Sequence, residues 1–191
     1  LNLFDAYEAR VASLLGAAPQ NWLIDKMPLR FLHAGLIQRL LPEAHLVFVA
    51  RHPCDVVLSN FMQQYAVNET NIHFDTLEHS VQTYSRLMGL WLKLEQAIDL
   101  PVTTVRYEDL VVNMAHALAP VCDTLDLDPG TVRFDHEARL ATRDRVRTSS
   151  YQQVAEPIYT RASGRWKRYE RHLAPWLSSL GPFIDRFGYE R

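Results

Sequence analysis

The stretch HLVFVARHPCDVVLS, residues 45–59, decides how this chain is read. Its first six residues form an apolar run of strand length, rich in side chains that favour extended backbone, and read as one buried strand. Arg51 follows at the carboxyl end of that run, and Pro53 suits the first turn of a helix, where its missing N–H and fixed φ cost nothing. Strand, short turn and helix open a parallel β-α unit, and in open α/β sheets ligands bind outside the carboxyl ends of the strands. Arg51 thus stands where an anion site belongs. Its planar fork can meet a phosphate or carboxylate, and free amides at the helix start favour negative charge. Ser59, about two turns into the helix, can share that anion. A plainer arrangement fits equally well: an arginine paired with a carboxylate, and a serine on a solvated helix face.

Working outward, residues 3–15 (LFDAYEARVASLL) carry helical spacing, and Gly16 is a natural stop. Residues 22–24 (WLI) read as a short strand ending at Asp25 and Lys26. Pro28 precedes a helix over 31–41, which Pro42 breaks. The helix opened by Pro53 runs to about Tyr65, and residues 66–75 form a loop. Asp75 or Thr76 caps a long helix reaching about Ile98, with Leu77, Val81, Tyr84, Leu87, Met88 and Trp91 on one stripe. Pro101 leads into a strand over 102–106. Helices follow from Tyr107 and over 114–125, then a turn at 128–130. Residues 139–159 show little periodicity, which marks a long loop. Helices over 165–170 and 175–187 close the chain.

Composition bounds the rest. A chain of 191 residues with 48% hydrophobic and 22% charged residues is an ordinary globular one, and a net charge of -2 argues against a general nucleic-acid binder. No apolar run has the length of a membrane span, and no signal-peptide pattern opens the chain. Cys54 and Cys122 lack metal or redox spacing and read as reduced, buried thiols, which suits a cytoplasmic setting. Charge is unevenly spread: between Arg139 and Arg171 lie nine of the 20 lysines and arginines, against three carboxylates. Such a field suits a polyanionic ligand. Lysine is rare, with Lys26, Lys93 and Lys167 alone, and Lys26 repeats the strand-end placement of Arg51. An ammonium there can neutralise charge on a transferred anionic group or its leaving oxygen.

Four segments, in order, carry a family resemblance: IDKMP, LLPEAHLVFVARHPCDVVLSN, VRYEDLV and TSSYQQVAEPIYTRASGRWKRYERHL. Together they cover most of residues 22–173 and resemble sulfotransferases that use 3′-phosphoadenosine 5′-phosphosulfate (PAPS). The bacterial tetratricopeptide-linked and tyrosylprotein types are the most similar. The resemblance implies an α/β, P-loop NTPase-like three-layer sandwich with a parallel sheet. It implies transfer of a sulfuryl group from PAPS to an acceptor hydroxyl on protein tyrosine, carbohydrate or a small molecule, without a metal, releasing adenosine 3′,5′-bisphosphate. By position, Arg51 and Ser59 match the pair on the nucleotide's 3′-phosphate, and Lys26 matches the lysine acting on the bridging oxygen. Tyr107 falls where a tyrosine contacts the nucleotide, and Ser150 where a serine steadies the leaving phosphate. Gly164 and Arg165 fall in a segment that closes over it, with arginine in place of the tyrosylprotein type's lysine.

Two departures shape the expectation. Pro28 occupies the place of the histidine used by the small-molecule enzymes, which points to the type whose base is an upstream glutamate. The family's Pro-x-Ser/Thr-Gly-Thr phosphosulfate loop does not occur in the chain. Residues 1–191 are therefore expected to be the C-terminal portion of a longer domain, without its first strand and that loop, and inactive unaided. Two rivals stay open: a P-loop-like kinase or other phosphoryl transferase, and a non-catalytic nucleotide-binding or scaffold relative.

Overall fold

A computed structural model of the chain describes residues 2–16, 22–63, 71–128 and 162–191. They fall into two compact units, Leu1–Leu46 with Gly89–Val102, and Val47–Met88 with Thr103–Arg191.

In the first unit, α1 (Leu3–Leu15) begins at a reciprocal cap: Asn2 accepts from the Asp5 amide at 3.0 Å, and Asp5 accepts from the Asn2 amide at 3.4 Å. Gly16 ends the helix with φ 74°, the left-handed conformation that glycine adopts without strain. The expected strand over 22–24 does not form. A strand holds only when its backbone groups find a ladder, and among the described residues no strand pairs with this stretch. Trp22 and Ile24 are 58% and 89% exposed accordingly. The helix expected over 31–41 is a 3₁₀ turn, Arg30–His33, running into α2 (Ala34–Leu40). Phe31 meets Trp91 edge-on with centroids 5.6 Å apart, and Trp91 is buried. Gln38 braces α2 from the side, accepting from the Asp99 amide at 2.6 Å.

In the second unit, β1 (Leu46–Ala50) pairs with β2 (Val102–Arg106) in a parallel sheet, each strand's first residue belonging to the first unit. Between them run α3 (Pro53–Met62) and α4 (Leu77–Ala97), the latter entering the first unit at Gly89. This β-α-β connection confirms the expected α/β class. Thr76 is the cap of α4, its hydroxyl accepting from the His79 amide at 3.0 Å. The predicted stripe is the buried one, with Val81, Tyr84 and Met88 in the core beside Val57 and Leu58 of α3.

After α5 (Tyr107–Val112) and α6 (Met114–Thr124), the described chain resumes at residue 162. The expected loop over 139–159, and Ser150 within it, lie outside the described residues. The last segment enters through Gly164 at φ 66°. It continues as a 3₁₀ turn (Arg165–Tyr169), one α turn (α7, Glu170–Leu173), a second 3₁₀ turn (Ala174–Trp176) and α8 (Leu177–Arg186). The expected helix over 175–187 is thus met by α8, while that over 165–170 is a 3₁₀ turn passing into a single α turn. α8 packs on α3 and supplies Leu180, Phe183 and Ile184 to the core, where Phe183 meets Tyr84 edge-on at 5.6 Å.

β1 is covered on one face only, which corrects the reading of a fully buried strand. Phe48 stacks on Phe187 at 5.7 Å and Ala50 is buried, while Val47 and Val49 are 41% and 52% exposed. A strand flanked by helices on both faces reads as continuously apolar, and so does this one, because its outward valines are apolar too. Cys54 and Cys122 are free and buried, as expected. Among the described residues no helix is long and apolar enough to cross a membrane.

Candidate functional site

The site is built where β1 hands over to α3, within the second unit. Arg51 leaves the end of β1 and donates from Nη2 to the Ala162 carbonyl at 2.7 Å. Its guanidinium carbon lies 5.1 Å from the centroid of the Tyr107 ring, so Tyr107, the first residue after β2, braces the cation by its face. The Arg51 Nε is buried and has no hydrogen-bond partner among the described residues. The guanidinium is thus held by one carbonyl and one ring, and keeps a buried donor that no described group takes. Among the described residues no carboxylate forms an ion pair with it.

The start of α3 differs from the expectation of free amides. Pro53 has no N–H to give, and the Cys54 amide donates to Nδ1 of His52 at 3.2 Å, so the helix is capped by its own preceding histidine. His52 Nε2 lies 3.0 Å from the Glu190 carbonyl. With Nδ1 accepting, Nε2 must carry the proton, which fixes the neutral tautomer. Burial pushes the His52 pKa below its ordinary value, against the opposite pull of the Glu190 carbonyl and of Asp55 and Glu108. The first amide of α3 is therefore taken by a side chain of the protein itself.

Asp55, in the first turn of α3, is 1% exposed. Its two oxygens accept from the Gly164 amide at 2.7 Å and the Trp166 amide at 2.8 Å. Burial raises its pKa, while the two amide bonds and the charge of Arg51 pull it back. Trp166 in turn stacks on His52 at 4.8 Å. Behind this layer, Glu108 accepts from the His52 amide at 3.0 Å and from the Tyr189 hydroxyl at 2.6 Å. Arg106 covers the Tyr189 ring at 4.3 Å and donates to the Gly188 carbonyl at 3.1 Å. Residues 188–190 are thus tied to the ends of both strands.

Of the residues predicted from sequence, Arg51, Tyr107 and the 162–166 segment with Gly164 and Arg165 are brought together by these contacts. Ser59 is half-buried on α3, four residues beyond Asp55 and so next to it on the helix surface. Arg165 presents an exposed side chain between two pinned amides. Lys26 belongs to the first unit, exposed in the irregular stretch before the 3₁₀ turn at Arg30. Sequence reasoning missed His52, Asp55, Glu108 and Tyr189. A fourth-residue spacing, Arg51, Asp55, Ser59, was visible and could have flagged Asp55; nothing local could have flagged Tyr189. Burial pushes the Cys54 thiol up to about 12, so it is an inert packing group. Among the described residues no cluster of histidine, cysteine and carboxylate side chains could hold a metal.

Comparison with known proteins adds three findings. A family model described as "Sulfotransferase family" matches residues 3–130, the span that contains Lys26, Arg51, Ser59 and Tyr107. An uncharacterized protein of Aquifex aeolicus (strain VF5) is 26% identical over 178 residues, which is 91% of this chain and 22% of that protein. The chain thus spans about a fifth of that relative's length. The solved "Sulfotransferase Domain from the Curacin Biosynthetic Pathway" superposes with a TM-score of 0.65 at 17% identity, over 100% of this chain and 69% of that one. That likeness is one of fold.

Proposed function

We propose, from the premise that the chain belongs to the sulfotransferase family, that it binds the 3′-phosphate end of PAPS and serves transfer of the sulfuryl group to an acceptor hydroxyl. The observation that carries this reading is Arg51: a strand-end guanidinium held by Ala162 and Tyr107, with a buried Nε that no described group satisfies. A buried donor without a partner is costly, and an anion is what removes the cost. A dianionic phosphate fits the chemistry better than a neutral ligand does.

In this reading Arg51 takes the 3′-phosphate, with Ser59 contributing a hydroxyl from α3. Tyr107 keeps the guanidinium in place and lines the nucleotide. Gly164 and Arg165 close over the phosphate from the last segment, the glycine allowing the turn at φ 66° and the arginine supplying charge. Lys26 offsets charge on the bridging oxygen as the sulfuryl group departs, and Ser150 donates to the leaving phosphate. PAPS supplies the activated sulfate, and adenosine 3′,5′-bisphosphate is the product. The closer kinship to tetratricopeptide-linked and tyrosylprotein enzymes belongs to this proposal, as does the cytoplasm as its setting, which the two free, buried thiols favour.

The experiment is direct. Full-length protein is titrated calorimetrically with adenosine 3′,5′-bisphosphate and incubated with sulfur-labelled PAPS and a panel of hydroxyl acceptors. Saturable nucleotide binding with label transfer is the expected result. Nucleotide binding without transfer to any acceptor leaves a binding protein and rejects the enzyme reading.

A further inference from the structure

Asp55 has no place in the function so far, yet both of its oxygens are engaged at the site. A carboxylate that is 1% exposed is tolerable only if its oxygens are satisfied, and each oxygen here takes one backbone amide. Those amides belong to Gly164 and Trp166, more than 100 residues along the chain. They flank Arg165, whose own side chain is exposed. A third bond, from Arg51 to the Ala162 carbonyl, fixes the same segment from the same strand end. The backbone on both sides of Arg165 is therefore set by residues of the β1–α3 junction, while its side chain stays available to a ligand.

We propose that Asp55 is a positioning residue of the nucleotide site: by gripping the amides on either side of Arg165, it holds that arginine where it can share the ligand with Arg51. This rests on the nucleotide reading above. Two features of the geometry support it. Gly164 enters at φ 66°, and the amides on either side of Arg165 turn toward one acceptor. Trp166, the second amide donor, is locked by its stack on His52, the residue next to Arg51. Arg51 and Arg165 are thus referenced to one rigid junction and not to separate loops.

Asp55→Asn keeps the size of the side chain but replaces one acceptor oxygen with an NH₂ that cannot accept from an amide. Calorimetric titration with adenosine 3′,5′-bisphosphate is run on full-length wild type, Asp55→Asn, Arg165→Ala and the double variant, well below their melting temperatures. Positioning predicts that Asp55→Asn weakens binding about ten-fold, close to the effect of Arg165→Ala. The double variant is then hardly weaker than either single one, the signature of two residues acting through one contact. A purely structural carboxylate lowers the melting temperature and leaves affinity unchanged, or gives additive losses; either outcome overturns the inference while the nucleotide reading stands. Wild-type affinity in Arg165→Ala overturns it also. If wild type itself fails to bind, the nucleotide reading falls first. Should Asp55→Asn not fold, hydrogen exchange of the wild type decides: slow exchange at the Gly164 and Trp166 amides without nucleotide supports the grip, and free exchange there refutes it.

Discussion

Replacing Arg51 with alanine removes three things that can be weighed separately. The first is the bond from Nη2 to the Ala162 carbonyl, at 2.7 Å, and the second is the ring contact to Tyr107. A hydrogen bond contributes about 1 kcal/mol net and a cation–π contact at a partly exposed site about 0.5–1 kcal/mol, so the folded state loses roughly 1.5–2 kcal/mol. The third is the receptor itself. A hydrogen bond to a charged group contributes about 1.5–3 kcal/mol, which converts to about ten- to a hundred-fold in dissociation constant for the nucleotide. Arg51→Lys separates these parts. Its compact ammonium keeps the charge but cannot face Ala162, the Tyr107 ring and a phosphate in one planar array. Its affinity should fall between wild type and alanine. Calorimetry with adenosine 3′,5′-bisphosphate measures the affinities, and thermal melts of the same samples confirm that the variants are folded. An alanine variant that melts cooperatively and binds within two-fold of wild type refutes the assignment of Arg51 to the anion.

Three further outcomes follow from the same geometry. His52 is held neutral with a lowered pKa, so the folded state binds fewer protons than the unfolded chain; its contribution to stability is present above about pH 6.5 and is lost as pH falls from there through the folded value. Thermal melts from pH 8 to pH 5 should therefore cost wild type more than His52→Asn, which keeps a capping side chain without the titration; equal losses reject the histidine's role. Tyr189→Phe deletes the 2.6 Å bond to Glu108 and should cost about 1–3 kcal/mol, read as a lower denaturant midpoint with an unchanged slope. Lys26→Ala should lower kcat with PAPS more than it weakens nucleotide binding, and the reverse pattern moves Lys26 from the reacting bond to ligand binding.

The strand-end placement of Arg51 was legible because its signals are local. Proline at a helix start, an apolar run before it and an arginine between them fix Arg51 at a strand end without any knowledge of distant contacts. Gly16 and Thr76 were legible for the same reason, since a helix stop and a helix cap are decided within a turn or two of chain. The strand at 22–24 failed because three apolar residues say only that extended backbone is allowed. Whether a ladder exists for them is a tertiary fact. Likewise the outward valines of β1 read as buried, because apolar composition does not reveal which face is covered.

His52 and Asp55 expose the deeper limit. The sequence RHPCD predicts a helix start with free amides; in the fold the His52 ring is the cap, because proline leaves Cys54 as the amide that a side-chain nitrogen at position 52 can reach. Asp55 looks like any acidic residue in a first helical turn, where the helix dipole alone would justify it. Its burial and its two amide partners are set by a segment 109 and 111 residues away, and no local pattern encodes a partner at that separation. What the sequence does carry is the spacing of Arg51, Asp55 and Ser59 at intervals of four. Within α3 that interval puts Asp55 and Ser59 on one side of the helix, while Arg51 precedes the helix at the end of β1. Under the proposal above, an arginine and a carboxylate at that spacing after a strand act together, the one on the ligand and the other on the segment that carries Arg165.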